Sequence, residues 1–172
     1  MTKLTTQPTN DNFLSPLGFK FVIQKTPSTN YYVTQVNIPS VSLGETNLPT
    51  PFVQVPIGGD HLQYGELQLT FRVDEDMTNY IELYNWLSGL GFPEDFEQYR
   101  DELDTNRTPA KLYSDATLVV MNSNMRANKQ IIFKDVFPTS VGDLQFDLAV
   151  QDLNYILCTA MFKYTTFEIT NV

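Results

Sequence analysis

The sequence predicts a mainly β domain of the α+β class, with strands on either side of a single helix. Three observations predict it. Apolar and polar residues alternate with period two in most patterned segments, one window alone repeats at the helical period, and β-forming aromatics abound, with 12 Phe and 9 Tyr. The 172 residues suit one domain, 1–172, long enough to bury a core, and no internal repeat or second domain shows.

Residues 1–12 are polar and carry no apolar stretch, so they read as a flexible arm rather than a secretory signal. Residues 17–23 and 31–38 are rich in β-formers and flank Pro27-Ser28-Thr29-Asn30, a turn sequence that predicts a hairpin between them. Residues 40–61 break the pattern with Gly44, Pro49, Pro51, Pro56, Gly58 and Gly59, and read as a long extended loop. Only Phe52-Val53-Gln54-Val55 alternates within it, a short piece able to add to a partner while the prolines block uncontrolled edge pairing. Residues 67–73 alternate strictly, as a strand with one buried face does.

Residues 77–90 form the helix. Asp74, Glu75 and Asp76 precede it, where carboxylates cap free N–H groups and complement the dipole, and Gly89, Gly91 and Pro93 end it. At about 100° per residue Met77, Tyr80, Leu83, Tyr84, Leu87 and Leu90 share one broad face, flanked by Ile81 and Trp86, while Thr78, Glu82 and Asn85 make a polar stripe. The width fits either a well-buried helix or one pinned between its own sheet and another subunit. Residues 94–109 are an acidic run that reads as a solvated insertion. Strands at 116–121 and 130–133 follow across an Asn/Ser/Arg-rich turn. A long last strand, 153–169, places Ile156, Cys158, Ala160, Phe162 and Tyr164 on one face and Tyr155, Leu157 and Met161 on the other, as if both sides were partly covered.

The formal charge of −9 argues against gripping nucleic acid, since affinity for phosphate comes from Lys and Arg. It suits a conduit through which DNA slides without sticking. No run reaches the roughly 18 apolar residues that a membrane-spanning helix needs. The single cysteine, Cys158, forms no internal disulfide and reads as a small buried hydrophobe. The single histidine, His61, lacks the company that acid–base or metal chemistry requires. No nucleophile elbow and no phosphate-cradling glycine loop occurs, and Asp74-Glu75-Asp76 lacks the spacing of a calcium loop. Asn106-Arg107-Thr108 matches a glycosylation triplet that arises often by chance. The reading is no enzyme, no cofactor and no metal, in a chain built for structure or assembly.

Two stretches carry a resemblance. Residues 134–145 hold Phe137-Pro138, Val141-Gly142 and Leu144, which resembles the aromatic-Pro-x-x-Val-Gly-x-Leu pattern of the tail tube proteins of contractile-tailed, myovirus-type bacteriophages. Residues 69–76 look like that family's strand leading into acidic residues and an aromatic-rich helix, matched by Tyr84-Asn85-Trp86-Leu87. The order of elements over about residues 13–168 agrees as well, with Phe137-Pro138 expected in a turn ahead of the final strand.

The resemblance implies a small β-barrel or sandwich with one packed helix, related in fold to the type VI secretion inner-tube protein. It implies a homo-oligomer of hexameric rings stacked into the virion tail tube, the channel for genome ejection during host cell entry. The sheath protein, the baseplate tube initiator, and the tape measure protein and DNA within the lumen would be its partners, with assembly in the host bacterial cytoplasm. The loop would reach the next ring through Gly44, Leu48, Pro49, Phe52, Val53, Val55 and Ile57, and the helix would meet a ring neighbour through Tyr80, Tyr84 and Trp86. Glu66, Asp143 and Asp147, on outward phases of apparent strands, are the lumen candidates. A tube initiator or tube cap shares the fold and stays open, although such relatives often carry extra terminal segments. A monomeric β-barrel ligand-binding module is the reading from another class.

Overall fold

The computed structural model describes residues 12–91, 112–147 and 155–172. The acidic run, the first eleven residues of the arm and the start of the last predicted strand lie outside them. The elements, in chain order, are β1 (Phe19–Ile23), α1 (Pro27–Tyr31), β2 (Val33–Val36), β3 (Val41–Pro49), β4 (Gln54–Tyr64), β5 (Leu67–Arg72), α2 (Thr78–Gly91), β6 (Ser114–Met121), β7 (Ala127–Val141), β8 (Leu157–Lys163) and β9 (Thr166–Asn171).

The main sheet runs β1-β6-β7-β8-β5-β2, with β9 also on β7, and every pairing is antiparallel. The long β7 is its hinge. Its first part pairs with β6 and β9, and its last part, from Phe137 to Val141, pairs with β8. Between the two parts Asp135 takes a left-handed backbone, φ 56°, beside a bulge opposite Ser114 and Ala116. Asp tolerates that conformation better than most residues, and its N–H donates to Asp115 Oδ1 at 3.3 Å. The fold is thus mainly β, sandwich- or barrel-like, with two sheet halves sharing one strand.

Alternation puts one face of each strand inside. Phe21 and Ile23 of β1, Ala116 and Leu118 of β6, Ile131, Phe133 and Val136 of β7, Cys158, Ala160 and Phe162 of β8, and Leu67, Leu69 and Phe71 of β5 form one buried core. Full burial of such a side chain is worth about 1.5–3 kcal/mol. α2 adds Leu83 and Trp86 to that core and buries Asn79 and Gly89 on the same face.

Trp86 is therefore the centre of the inner face rather than its flank. Its Nε1–H donates to Leu112 O at 2.9 Å, and Lys25 Nζ lies 5.1 Å from the ring centroid. At the start of α2, Asp74 does cap, its Oδ1 accepting the Asn79 N–H at 3.3 Å. Asn79 in turn donates through Nδ2 to Arg72 O at 2.7 Å. Glu82, from the polar stripe, accepts the Ser28 hydroxyl at 2.7 Å and docks α1 on α2.

Four expectations are corrected. Residues 17–23 and 31–38 do not pair with each other. β1 pairs with β6 and β2 with β5, at opposite ends of the sheet, because Pro27 opens a short helix where its fixed φ is already helical. Residues 40–61 are not a loop: β3 and β4 pair as a separate two-stranded ribbon. The prolines do not stop it. The tip pair Thr50 and Val53 is hydrogen-bonded, with Thr50 N–H donating to Val53 O at 3.2 Å. Alternation from there leaves Pro49 and Pro56 at positions that need no N–H. The long final strand is two strands, β8 and β9, which break at Tyr164-Thr165 so that β9 can return to the first part of β7. Phe137-Pro138 lies within β7, not in a turn, with Pro138 across from Phe162.

Candidate assembly interface

The ribbon is a sheet of its own, resting on the main sheet at its root through Tyr64 against Tyr164 and Phe167, and the residues of both its strands are exposed apart from Gly44, which is half-buried. All seven residues that the loop reading named lie on it: Gly44, Leu48, Pro49, Val55 and Ile57 in its strands, Phe52 and Val53 at its tip. Phe52 is 96% exposed. The same reading missed Val41, Leu43 and Leu62, which are about half exposed near the root. Their alternation with polar neighbours was the signal, hidden by Gly44 and the Gly58-Gly59 pair. A bulge divides root from tip, with Leu43 across from Leu62 but Glu45 across from Gly58. Gly59 is required there, since a Cβ would sit 2.6 Å from Gly44 O. Asp60 Oδ1 and His61 Nδ1 are 2.5 Å apart beside it and almost fully exposed, which gives His61 no buried site.

No charged side chain occurs from Thr46 to Ile57. The far half of the ribbon is thus a neutral, apolar patch on a chain of formal charge −9. Isolated two-stranded ribbons are at best marginally stable in water, and exposed patches of this kind mark interaction surfaces.

On α2, Tyr84 and Ile81 are about half exposed and share the outer surface, Tyr80 is half-buried against the core, and Trp86 is a core residue at 1% exposure. The three residues named for a ring contact therefore do not form one surface. Glu66 lies in the short connection before β5, its Oε1 3.8 Å from Lys163 Nζ. Asp143 and Asp147 follow the end of β7, and Asp143 accepts from Gln145 Nε2 at 3.1 Å. None of the three sits on a strand, so the phase argument for them does not hold.

The sequence motif closes β7 against β8. Phe137 meets Tyr113 edge-on at 5.5 Å, Pro138 is buried, and Val141 and Leu144 pack on the core. Gly142 N–H donates to Thr159 O at 2.7 Å, and a Cβ on Gly142 would lie 2.9 Å from that oxygen. Cys158 Sγ is 3.6 Å from Gly142 O, and burial pushes its thiol above the usual range, which suits an unreactive core residue.

The sheet ends at β1 and β2. Gln24 N–H donates to Asp115 O and Met121 N–H to Gly18 O, so even-numbered residues of β1 face β6 and odd-numbered ones face outward. Ile23 is satisfied on that outer side by one side chain: Asn30 Oδ1 accepts its N–H at 2.7 Å and Asn30 Nδ2 donates to its carbonyl at 2.8 Å. Among the described residues nothing comparable covers Phe19 and Phe21, whose edge borders a cavity of about 480 Å³ also lined by Tyr31 and Val33. A second cleft, of about 730 Å³, is lined by Tyr32, Arg72, Leu144, Phe146 and Tyr155. No group of three His, Cys, Asp or Glu that could hold a metal occurs among the described residues.

No protein-family model matches the chain, and no curated protein sequence does. Solved structures do. The cryo-EM structure of the anti-feeding prophage cap, a tube-terminating cap, aligns with a TM-score of 0.62 at 10% identity over 99% of this chain and 100% of that one. The tube–sheath complex of an extracellular contractile injection system, PVC, gives 0.59 at 13% identity over 94% of both chains. Its sheath/tube terminator gives 0.58 at 14% identity over 94% of this chain and 99% of that one. The chain carries the tail-tube fold, as the caps and tubes of contractile injection systems do.

Proposed function

We propose that the chain is a non-enzymatic structural subunit of the inner tube of a contractile tail, as in myovirus-type phages. It assembles as hexameric rings that stack into a channel for genome delivery. The observation that carries this reading is the exposed β3–β4 ribbon, uncharged over its far half from Thr46 to Ile57, on a tail-tube fold. An apolar projection that its own domain leaves uncovered is matched to contact between copies. An open sheet edge at β1 supports lateral addition within a ring, and closure of a ring removes such edges.

The other partners in this reading are the sheath protein outside, the baseplate initiator at one end, and tape measure protein and DNA inside without specific binding. The location is the virion tail, assembled in the host bacterial cytoplasm. An acidic lumen keeps DNA from adhering, with Glu66, Asp143 and Asp147 among the candidates. The coextensive match to a tube-terminating cap favours a second reading, a cap or terminator that forms one ring at the tube end.

Negative-stain electron microscopy with mass photometry tests both. Rings or long tubes with a central channel, at multiples of six chains, support the tube subunit. Single rings that bind preformed tube ends and never elongate support the cap. A monomer that fails to grow even on a tube or baseplate seed sinks both and returns the chain to the ligand-binding class.

A further inference from the structure

The ribbon is jointed in its middle, and its two parts are held differently. At the root, Val41 to Leu43 pair with Leu62 to Tyr64 in one register; at the tip, Glu45 to Pro49 pair with Gln54 to Gly58 in another. Gly44 on β3 and Gly59, Asp60 and His61 on β4 fall between the two registers, so β4 carries the extra residues of a bulge. The root is tied to the body. Tyr64 packs at 5.9 Å on Tyr164 and at 5.6 Å on Phe167, Gly65 N–H donates to Ser40 O at 2.8 Å, and the Tyr164 hydroxyl donates to Gly65 O at 3.1 Å. Beyond the bulge every residue from Glu45 to Gly58 is exposed. The tip is stiff within itself: its strands pair up to Pro49 and Gln54, Thr50 N–H closes the turn on Val53 O, and Pro49, Pro51 and Pro56 each fix a backbone angle.

We propose that the tip, residues 45–58, swings as one rigid arm about the joint formed by Gly44 and Gly59 to His61, while the root stays fixed to the body. Hinges form where a few residues can absorb a change of backbone angles without repacking side chains. This joint meets that condition. The strands approach there through glycine backbone, since a Cβ on Gly59 would lie 2.6 Å from Gly44 O, while a Cβ on Gly44 would have nothing within 4 Å. The side chains of Asp60 and His61 are almost fully exposed and bonded to each other, so movement at the joint uncovers no core. The arm's direction is then set by what it meets rather than by its own domain. The hinge belongs to the unassembled chain and does not depend on the tube reading.

Distances between spin labels test it. Labels go on Asn47→Cys in the tip or Ser42→Cys in the root, each paired with Gln24→Cys on the body, in dilute unassembled protein; all three positions are exposed, and the native Cys158 is buried. The tip-to-body distances are expected to spread about twofold more widely than the root-to-body distances. Deleting Asp60 and His61 would bring both parts into one register, with Gly59 across from Gly44 and Leu62 still across from Leu43, and is expected to narrow the tip spread to that of the root. NMR contacts between the opposed Leu48 and Val55 side chains are expected to persist in the full chain, as a rigid arm requires. Equal spreads for tip and root in the full chain overturn the hinge, whether or not the deleted chain folds. So does a folded deletion whose tip spread is unchanged, and so does loss of the Leu48–Val55 contact, which would mean an unfolding tip. Failure of the protein to form rings or tubes counts against the tube reading alone.

Discussion

Gly142 shows how much one hydrogen atom can decide. Its amide is held at 2.7 Å from Thr159 O, and a methyl group would lie 2.9 Å from the same oxygen. Gly142→Ala should force β7 away from β8 and lower stability by about 1–3 kcal/mol, read as a fall in the midpoint of urea unfolding. Tyr164 sits among Tyr64, Phe133 and Phe167 with its hydroxyl donating to Gly65 O at 3.1 Å. Burial first, and Tyr64 second, push its phenol up from 10.0 to about 12. The folded state therefore holds this proton more tightly than the unfolded chain does. Stability should be unaffected by this group below pH 10 and should fall as pH rises from 10 towards 12. Unfolding midpoints measured across that range, for the native chain and Tyr164→Phe, check it: the variant should lose part of the slope. The sequence marked Gly142 as part of a motif and Trp86 as an aromatic beside a helix face. It could not show why, because Thr159 and the Leu112 carbonyl reach them only through the fold.

Strands with one buried face were legible as elements, since β5, β6, β8 and the first part of β7 each alternate against a single core. Pairing was less legible. Nothing local in residues 17–38 tells that Phe21 lies across from Leu118 rather than from its nearest β neighbour. The ribbon was hidden because prolines read as breakers unless the hydrogen-bonding phase of each position is known. Asn30, counted as a turn residue, acts at the sheet edge, where its amide satisfies both main-chain groups of Ile23. Asn30→Ala should leave the fold intact and speed hydrogen exchange at the Ile23 amide by tenfold or more, measured by NMR on unassembled protein. Unchanged exchange at Ile23 would show that the side chain protects nothing.

At the scale of the molecule, charge sets the conditions for association. Copies of a −9 chain repel at low ionic strength, and salt shortens the range of that repulsion to about 10 Å at 0.1 M. The concentration needed for assembly should fall as sodium chloride rises from 0.02 to 0.3 M, about tenfold by light scattering, if neutral ribbons make the contact. A rise would mean that opposite charges hold the copies together. The fold class and the strands on either side of α2 were readable in the sequence from their periodicity, whereas α1, the β3–β4 ribbon and the division between β8 and β9 were not. The role of β7 was not readable, since nothing in the residues around Asp135 announces that one strand serves both halves of the sheet. That arrangement decides how the domain bears force. A load driving the halves apart pulls lengthwise on continuous backbone at Asp135, so covalent bonds resist before any row of hydrogen bonds can unzip. In the proposed tube, a subunit loaded in that direction would yield at its contacts with neighbours before its two halves parted.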